Sequence, residues 1–343
     1  MNIVCVADAF IPPRMMNDGV GPFLGPEDEL KVFSFGPEDV SEMRDVVKRL
    51  EAGGRKEFAV PDGLPEAMLD ADLLIVHQCP VNEDLIRNAH RLKAILSCRG
   101  GTENIAIDEA TERGVIVSNN PAHNANAVAE YTVGLILAET RNIARSDRAL
   151  REGIWRKEYP NSRAEIRELS DMTVGIVGYG TIGKLVARKL SSFDCRILAY
   201  DLYVKEAEDY VELVSLEDLL RDSDIVTLHA RADGAVIGSK EFGMMKDNSY
   251  LINTARSYLV DPQAFKAAMD SGKLIGAAID VFESEPDIPA FYREYDNITI
   301  TSHRGGYTIN SYKDAPKFAM SNYLSFLKGG PLRFWVNRKQ LSA

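Results

Sequence analysis

The most informative residues of this chain are three glycines near its middle, in the segment VGIVGYGTIGKLVARKL. Gly178, Gly180 and Gly183 have the GxGxxG spacing that is typical of a turn binding a dinucleotide pyrophosphate. The first glycine permits a tight turn, the second lets the backbone approach the phosphates, and the third lets a helix pack closely on a strand. A helix beginning at Thr181 and Ile182 would add free N–H groups that attract phosphate. The segment therefore predicts a dinucleotide site.

The residues around these glycines favour NAD as the dinucleotide. An apolar run, Val174–Val177, precedes the glycines, and a second run, Arg196–Tyr200, ends on Asp201. A carboxylate roughly 20 residues beyond the turn bonds the ribose 2′-OH of NAD and repels the 2′-phosphate of NADP. Lys205 is the only nearby cation, which makes NADP the less favoured cofactor. The alternative to a dinucleotide site is a glycine-rich turn in an unrelated α/β protein.

The composition excludes several other classes of function. The formal net charge of −11 argues against a nucleic-acid surface, which needs a basic footprint. No apolar run approaches the roughly 20 residues of a membrane span, so we expect no membrane partner. The N-terminal segment MNIVCVADAF has no basic region and predicts a first strand, not a signal peptide.

The four cysteines indicate neither metal binding nor redox chemistry. None of them has CxxC spacing, which disfavours zinc and thioredoxin-type sites, so no metal is expected. A reducing cytoplasm fits this usage best. The cysteines are Cys5, Cys79, Cys98 and Cys195.

The elements that must position the dinucleotide site form two α/β domains. Short apolar strands alternate with helix-like segments before and after the glycines, which predicts parallel sheets covered on both faces. The fold class is therefore two doubly wound parallel-sheet domains. A Rossmann domain at residues 123–310, with a six-stranded sheet, is inserted into a second domain formed by 1–122 and 311–343. Long helices near 124–141 and 311–327 would link the domains, and a ligand would lie in the cleft between them.

Several blocks of sequence carry a family likeness. They run in a fixed order along the chain, which resembles the D-isomer-specific 2-hydroxyacid dehydrogenases from about residue 73 to 308. The blocks are DEATERG at 108–114, NP at 120–121 with Asn124, AVAE at 127–130, the glycine turn, LINTAR at 251–256, GAAIDVF at 276–282 with Glu285-Pro286, and His303 with Gly305-Gly306.

The resemblance implies an enzyme that transfers hydride between NAD(H) and C2 of a D-2-hydroxy acid or 2-keto acid. It assigns His303 as the acid/base, Glu285 as its carboxylate partner and Arg256 as the ligand of the substrate carboxylate. A histidine suits both directions because its usual pKa lies near about 6.5, and an arginine binds a carboxylate bidentately. Without the resemblance, a structural histidine, a turn carboxylate and a surface arginine would be favoured.

The resemblance also implies further cofactor and substrate residues. The flanking domain would be a flavodoxin-like substrate domain. The implied cofactor residues follow strands of the nucleotide domain and are His229, Ala230, Thr254, Ala255, Asp280 and Gly305.

Two loops of the flanking domain should choose the substrate. Gln78 follows the strand LLIVH, and Arg99, Gly100 and Gly101 follow AILS. The phosphoglycerate enzymes of the family carry arginines in the first loop, and none occurs here. We hypothesise that Gln78 and Arg99 bind the far end of a polar substrate, either a phosphate or a polyhydroxy chain. The alternative is that Arg99 faces solvent or pairs with an acid.

Two other functions compete with a hydroxyacid dehydrogenase. A formate- or phosphite-type dehydrogenase is disfavoured because formate enzymes pair the histidine with glutamine, whereas Glu285 stands here. An NAD(H)-binding sensor, similar to the corepressors of this fold, would bind cofactor with little turnover. The resemblance also implies a homodimer, and the apolar surface of 128–138 is compatible with a dimer or with burial inside one chain.

Overall fold

The computed structural model describes residues 1–164 and 166–341, and these form two compact units. The flanking unit contains Met1–Asn124 and the described residues from Thr308 onward, and the inserted unit is Ala125–Tyr307. The sequence-based boundaries, 122/123 and 310/311, lie a few residues from these positions.

The flanking unit is built on five parallel strands in the order β2-β1-β3-β4-β5. The order reverses between β1 and β3, so their carboxyl ends mark the switch point where open α/β sheets bind ligands. The strands are β1 (Asn2–Ala7), β2 (Glu29–Ser34), β3 (Leu73–Val76), β4 (Ala94–Ser97) and β5 (Ile116–Ser118). The helices among them are α1 (Pro13–Val20), α2 (Val40–Glu51), α3 (Leu64–Met68), α4 (Glu83–Asn88) and α5 (Ile107–Glu112).

The inserted unit is a parallel sheet in the order β12-β11-β10-β9-β6-β7-β8. Its order reverses between β6 and β9. The strands are β6 (Thr173–Val177), β7 (Arg196–Tyr200), β8 (Glu212–Leu213), β9 (Ile225–Leu228), β10 (Ser249–Asn253), β11 (Leu274–Ile279) and β12 (Ile298–Ile300). The helices are α6 (Ala125–Thr140), α7 (Ile143–Arg151), α8 (Thr181–Leu190), α9 (Leu216–Asp222), α10 (Ser239–Met244) and α11 (Pro262–Asp270).

The prediction of six strands in this sheet was wrong, because the structure has seven. The additional strand is β8, which pairs with β7 at the edge of the sheet. Two residues are too few to show the alternation or apolar run by which a strand is recognised in sequence.

Two further helices, α12 (Ile309–Leu327) and α13 (Arg338–Leu341), belong to the flanking unit. Alternate residues of β3 show how that unit buries both faces of its sheet. Leu73 and Ile75 lie in the core that contains Met320 of α12, whereas Leu74 and Val76 lie in the core that contains residues of α2. Such two-sided burial explains why parallel strands have continuous apolar sequences.

Helix α1 was not predicted from the sequence, and tertiary packing explains why it forms. Its sequence, PRMMNDGV, contains weak helix formers such as Gly, Asn and Asp. A Cβ atom on Gly19 would lie 2.9 Å from Cβ of Pro316 in α12. The glycine therefore allows a close approach of two helices that local propensity does not reveal. Among the described residues, no helix has the length and hydropathy required to cross a bilayer.

Candidate active site

The glycine turn lies at the switch point of the inserted sheet, between β6 and α8. Gly178 has a φ of 97°, and a Cβ there would collide with the backbone N of Ala230, which follows β9. A Cβ on Gly183 would collide with the carbonyl oxygen of Gly178. Gly180 precedes the first turn of α8, and a Cβ on it would meet no heavy atom within 4 Å. The turn is thus tightly packed at Gly178 and Gly183, whereas the position of Gly180 is open.

The open side of this turn fits a dinucleotide pyrophosphate. Thr181, Ile182 and Gly183 form the first turn of α8, whose N–H groups have no acceptor within the helix. The positive end of the helix dipole also favours an anion there. The predicted residues of the glycine turn are therefore together in one place.

Asp201 directly follows β7 and accepts three backbone hydrogen bonds. The donors are the N–H groups of Tyr179 at 2.8 Å, Tyr203 at 2.8 Å and Val204 at 3.2 Å. Partial burial alone would raise the pKa of the carboxyl, but these donors lower it below its usual value. Lys205, the cation that left NADP open, donates to the carbonyl oxygen of Leu202 at 3.2 Å. Asp201 is thus an ionised carboxylate beside the glycine turn, as NAD binding requires.

His229 follows β9 and has one ring nitrogen without a partner. Its Nε2 atom lies 3.0 Å from the hydroxyl oxygen of Thr227, while the buried Nδ1 atom has no hydrogen-bond partner among the described residues. Burial lowers the pKa of His229 to about 3, so the ring is neutral. An orphaned polar atom at the switch point is one that a bound cofactor could satisfy.

The ends of β10, β11 and β12 are neighbours at the carboxyl edge of the same sheet. Arg256 follows β10, is exposed, and donates from Nη1 to the carbonyl oxygen of Ala255 at 2.7 Å. The N–H of Ala255 donates to the side chain of Asn253 at 3.0 Å. Thr254 is buried, and its hydroxyl lies 2.8 Å from that of Thr132 in α6. Arg256 is therefore the member of this group whose charge is open to a ligand.

His303 and Glu285, which the family resemblance implied as an acid/base and its carboxylate partner, are in contact. Nδ1 of His303 lies 2.8 Å from Oε2 of Glu285. The other carboxylate oxygen, Oε1, accepts the backbone N–H of Phe282 at 2.9 Å. The imidazole is half exposed, with a side-chain exposure of 50%. Because Glu285 engages Nδ1, the opposite nitrogen, Nε2, is the one that can exchange a proton with a ligand.

Asp280 follows β11 and holds the loop that carries His303. Its Oδ1 accepts the hydroxyl of Thr301 at 2.6 Å and the N–H of Arg304 at 2.8 Å, and its Oδ2 accepts the N–H of Gly305 at 2.9 Å. These contacts lie on both sides of His303, whose φ is 51°. The family resemblance implied that Asp280 is a cofactor residue, and in the structure its buried carboxylate also holds this loop.

The flanking unit has a separate buried polar cluster at its own switch point. Asp8 follows β1 and His77 follows β3, and Oδ2 of Asp8 lies 2.8 Å from Nδ1 of His77. Oδ2 also accepts the N–H of Gln78 at 3.1 Å. The side-chain oxygen of Gln78 accepts Nη1 of Arg99 at 2.8 Å. Polar groups from β1, β3 and β4 thus form one connected network.

Arg99 is buried in this network, so the idea that it faces solvent is wrong. Its Nη2 pairs with Glu51 and lies 3.6 Å from Oε2 of Glu103. Gly101 gives the guanidinium room, because a Cβ there would lie 2.7 Å from Nη2. A Cβ on Gly100 would lie 2.9 Å from Cα of Pro121. Arg99 instead pairs with acids, which was the other possibility given as an alternative to substrate binding.

Sequence reasoning missed Asp8 and gave His77 no role. A signal was present, since each is the first polar residue after a buried parallel strand, the position where such sheets bind ligands. Among the described residues, no group of three His, Cys, Asp or Glu side chains could hold a metal ion.

The inserted sheet, its glycine turn and the His303–Glu285 pair define a dinucleotide-dependent α/β enzyme with an acid–base pair. Comparison with known proteins specifies the family. Residues 133–305 match the family model described as "D-isomer specific 2-hydroxyacid dehydrogenase, NAD binding domain".

Curated relatives agree with this match. The chain is 37% identical over 269 residues to glyoxylate reductase of Thermofilum pendens, covering 76% of this chain and 79% of the relative. It is 34% identical to hydroxypyruvate reductase of Thermotoga maritima, covering 75% and 85%. It is also 35% identical to D-3-phosphoglycerate dehydrogenase of Methanocaldococcus jannaschii, but spans only 56% of that protein's length.

Solved structures share the fold. D-lactate dehydrogenase from Aquifex aeolicus, complexed with NAD and lactic acid, is similar with a TM-score of 0.63 and 26% identity over 99% of this chain and 98% of that one. This chain belongs to the D-isomer-specific 2-hydroxyacid dehydrogenase family. It is an oxidoreductase that transfers hydride between NAD(H) and C2 of a 2-hydroxy acid or the corresponding 2-keto acid.

Proposed function

We propose that His303, Glu285 and Arg256 perform the chemistry on a short, unphosphorylated 2-keto acid or D-2-hydroxy acid. The observation that carries this proposal is the contact of 2.8 Å between Nδ1 of His303 and Glu285. When bound, the nicotinamide supplies the hydride to C2 or accepts it from C2. The remaining tasks fall to residues of this chain.

His303 moves the proton. Nε2 donates it to the C2 oxygen when a keto acid is reduced, and accepts it from the hydroxyl when a hydroxy acid is oxidised. Glu285 fixes the tautomer with the proton on Nδ1 and stabilises the imidazolium. Its own orientation is fixed by the N–H of Phe282. The pair can therefore serve both directions without a further group.

Arg256 binds the substrate carboxylate. Its guanidinium is exposed. Arg256 follows β10, which is next to β11, the strand that precedes Asp280, and β11 is in turn next to β12, which precedes His303. A planar guanidinium offers two parallel N–H donors to a carboxylate, which orients C2 as well as binding the acid. The same positive charge favours the negative charge that develops on the C2 oxygen.

The cofactor residues lie in the loops that follow the strands of the inserted sheet at its carboxyl edge. The glycine turn and the first turn of α8 bind the pyrophosphate, and Asp201 bonds the adenosine ribose. His229 and Ala230 border the cofactor beside Gly178, and Thr254, Ala255, Asp280 and Gly305 border the nicotinamide.

The cluster at Gln78 and Arg99, with the close-packed Gly100 and Gly101, binds the far end of the substrate. Arg99 is already paired with Glu51 and Glu103, so its charge is neutralised. A phosphate would gain little from such an arginine and would be repelled by the two acids. Hydroxyl groups can instead exchange hydrogen bonds with Gln78 and Arg99. The cluster thus supports a hydroxylated substrate such as hydroxypyruvate over a phosphorylated one.

A panel of keto acids tests this function. We expect the protein to oxidise NADH with glyoxylate and hydroxypyruvate, and to act poorly on 3-phosphohydroxypyruvate. His303→Asn and Arg256→Gln should abolish turnover while NADH still binds. Tight NADH binding without turnover on any keto acid would contradict the proposal and indicate a sensor.

We also propose a homodimer in a reducing cytoplasm. Helix α7 buries Arg145 and Ala149 but exposes Ile143 and Leu150, and Trp155 shortly after it is 79% exposed. An exposed apolar surface of this kind is typical of a subunit interface. The four cysteines are free and buried, in keeping with a reducing compartment.

A further inference from the structure

Tyr179, the residue between the first two glycines of the turn, contacts three charged side chains. Its N–H donates to Oδ2 of Asp201 at 2.8 Å, and its hydroxyl donates to Glu208. Nζ of Lys184 lies 5.3 Å from the centre of its ring. The ring is fully buried, so it fixes where these three charges gather. Glu208 and Lys184 therefore lie near Asp201, whose carboxylate we assign to the adenosine ribose.

Glu208 neutralises the cation of this group. Oε1 of Glu208 lies 3.8 Å from Nζ of Lys184, while its other oxygen accepts the hydroxyl of Tyr179. The hydrogen bond from Tyr179 lowers the pKa of Glu208, which keeps its carboxyl ionised near neutral pH. Lys184 belongs to the first part of α8, where a lysine could otherwise bind a phosphate.

We propose that Glu208 is a second determinant of NAD selectivity, in addition to Asp201. Asp201 repels a 2′-phosphate directly, whereas Glu208 acts by occupying Lys184 and by adding a further negative charge. Removal of Asp201 alone would then leave Lys184 still paired with Glu208 and unable to bind the 2′-phosphate of NADP. This inference rests on the proposed position of the ribose at Asp201.

The charge and the hydrogen bond of Glu208 can be separated by two matched variants. Glu208→Gln removes the charge but keeps an acceptor for Tyr179. Tyr179→Phe keeps the charge but removes the hydrogen bond. Dissociation constants for NADH and NADPH can be measured by fluorescence titration of the purified protein, without turnover, for both variants, Asp201→Ser and the double variant D201S/E208Q.

We expect E208Q to strengthen NADPH binding about fivefold, the size of one exposed ion pair, and to leave NADH binding nearly unchanged. The double variant should bind NADPH more tightly than D201S by at least the same factor. Y179F should give no such gain. The gain should shrink at high salt, since exposed charges are screened.

Three results would overturn the inference. The first is unchanged NADPH binding by E208Q, and the second is an equal gain in Y179F, which would indicate a loosened loop instead of a charge effect. The third is a clear loss of NADPH binding in Lys184→Gln, which would show that Lys184 is a free cation. If Glu208 already neutralises Lys184, this substitution should leave NADPH binding unchanged. If D201S leaves NADH binding unchanged, the ribose assignment itself fails, which is a distinguishable outcome.

Discussion

The side chain of Glu285 links the imidazole of His303 to the backbone of the loop that follows β11. One carboxylate oxygen contacts Nδ1 of the imidazole at 2.8 Å, and the other accepts the N–H of Phe282 at 2.9 Å. The histidine is therefore oriented by a carboxylate that is itself oriented by backbone. Such a relay allows a half-exposed imidazole to keep one tautomer.

Removal of the Glu285 charge should impair proton transfer more than cofactor binding. For Glu285→Gln we expect kcat/KM to fall by about 10²-fold, within the range of acid–base contributions, because the imidazolium loses the carboxylate that orients and stabilises it. The measurement is the steady-state rate of keto-acid reduction. An unchanged kcat/KM would contradict the assignment, and NADH binding by E285Q serves as the control for folding.

Loss of the Asp280 carboxylate should loosen the loop that carries His303. Asp280→Ala leaves two backbone N–H groups and a hydroxyl without their acceptor, at a cost of roughly 1–3 kcal/mol for each buried group. We expect a lower Tm and a lower kcat. Thr301→Val removes one of the three hydrogen bonds and should have a smaller effect on both. Equal effects of the two variants would argue against a role of Asp280 in holding the loop.

Arg99 should affect the far end of the substrate and not the reaction itself. Arg99→Ala should raise KM for hydroxypyruvate several-fold and for glyoxylate much less, since glyoxylate has no further polar group to bind. Steady-state kinetics with both acids provides the test. Similar increases for the two acids would indicate that Arg99 makes no direct contact with substrate.

The acids beside Arg99 should exclude phosphorylated substrates. The double substitution Glu51→Gln and Glu103→Gln frees the guanidinium of its ion pairs. Relative activity with 3-phosphohydroxypyruvate over hydroxypyruvate should then increase about tenfold, which corresponds to about 1.4 kcal/mol. An unchanged ratio would show that these acids do not set the choice.

Acidification should destabilise the protein through two histidines, the buried His229 and the half-buried His123. Burial lowers the pKa of His229 to about 3 and of His123 to about 4. An unfolded histidine binds a proton below about pH 6.5, so the unfolded state binds more protons as the pH falls from there toward about 4. The free energy of unfolding should decrease over that range. Urea titrations at pH 7.5 and 5 measure it, and His123→Asn should reduce the difference.

The exposed apolar side chains after α6 should mediate self-association. Replacing Trp155 and Leu150 by Asp should convert a dimer into monomers in sedimentation or light-scattering measurements. The exposed Tyr203, in the loop after β7, offers a control, because Tyr203→Asp should leave the association state unchanged. A monomeric native protein would refute the homodimer.

The order of strands and helices was largely encoded in local sequence. Apolar runs such as 73–76 and 94–97 match β3 and β4, because parallel strands buried on both faces must be continuously apolar. The short edge strand β8 and helix α1 gave no local signal, since their formation depends on pairing with β7 and on packing against α12.

The sequence by itself determined the chemistry that the chain can perform. Its glycine spacing, Asp201 and the order of family blocks were sufficient to predict a dinucleotide-binding hydroxyacid dehydrogenase, because those requirements are local in the chain. Tertiary structure alone decided the contacts between distant residues. It placed the carboxylate of Asp280 against the loop at 301–305, and it joined Asp8 and His77 across β1 and β3. Such contacts depend on which strands become neighbours in a sheet, and no local pattern specifies that.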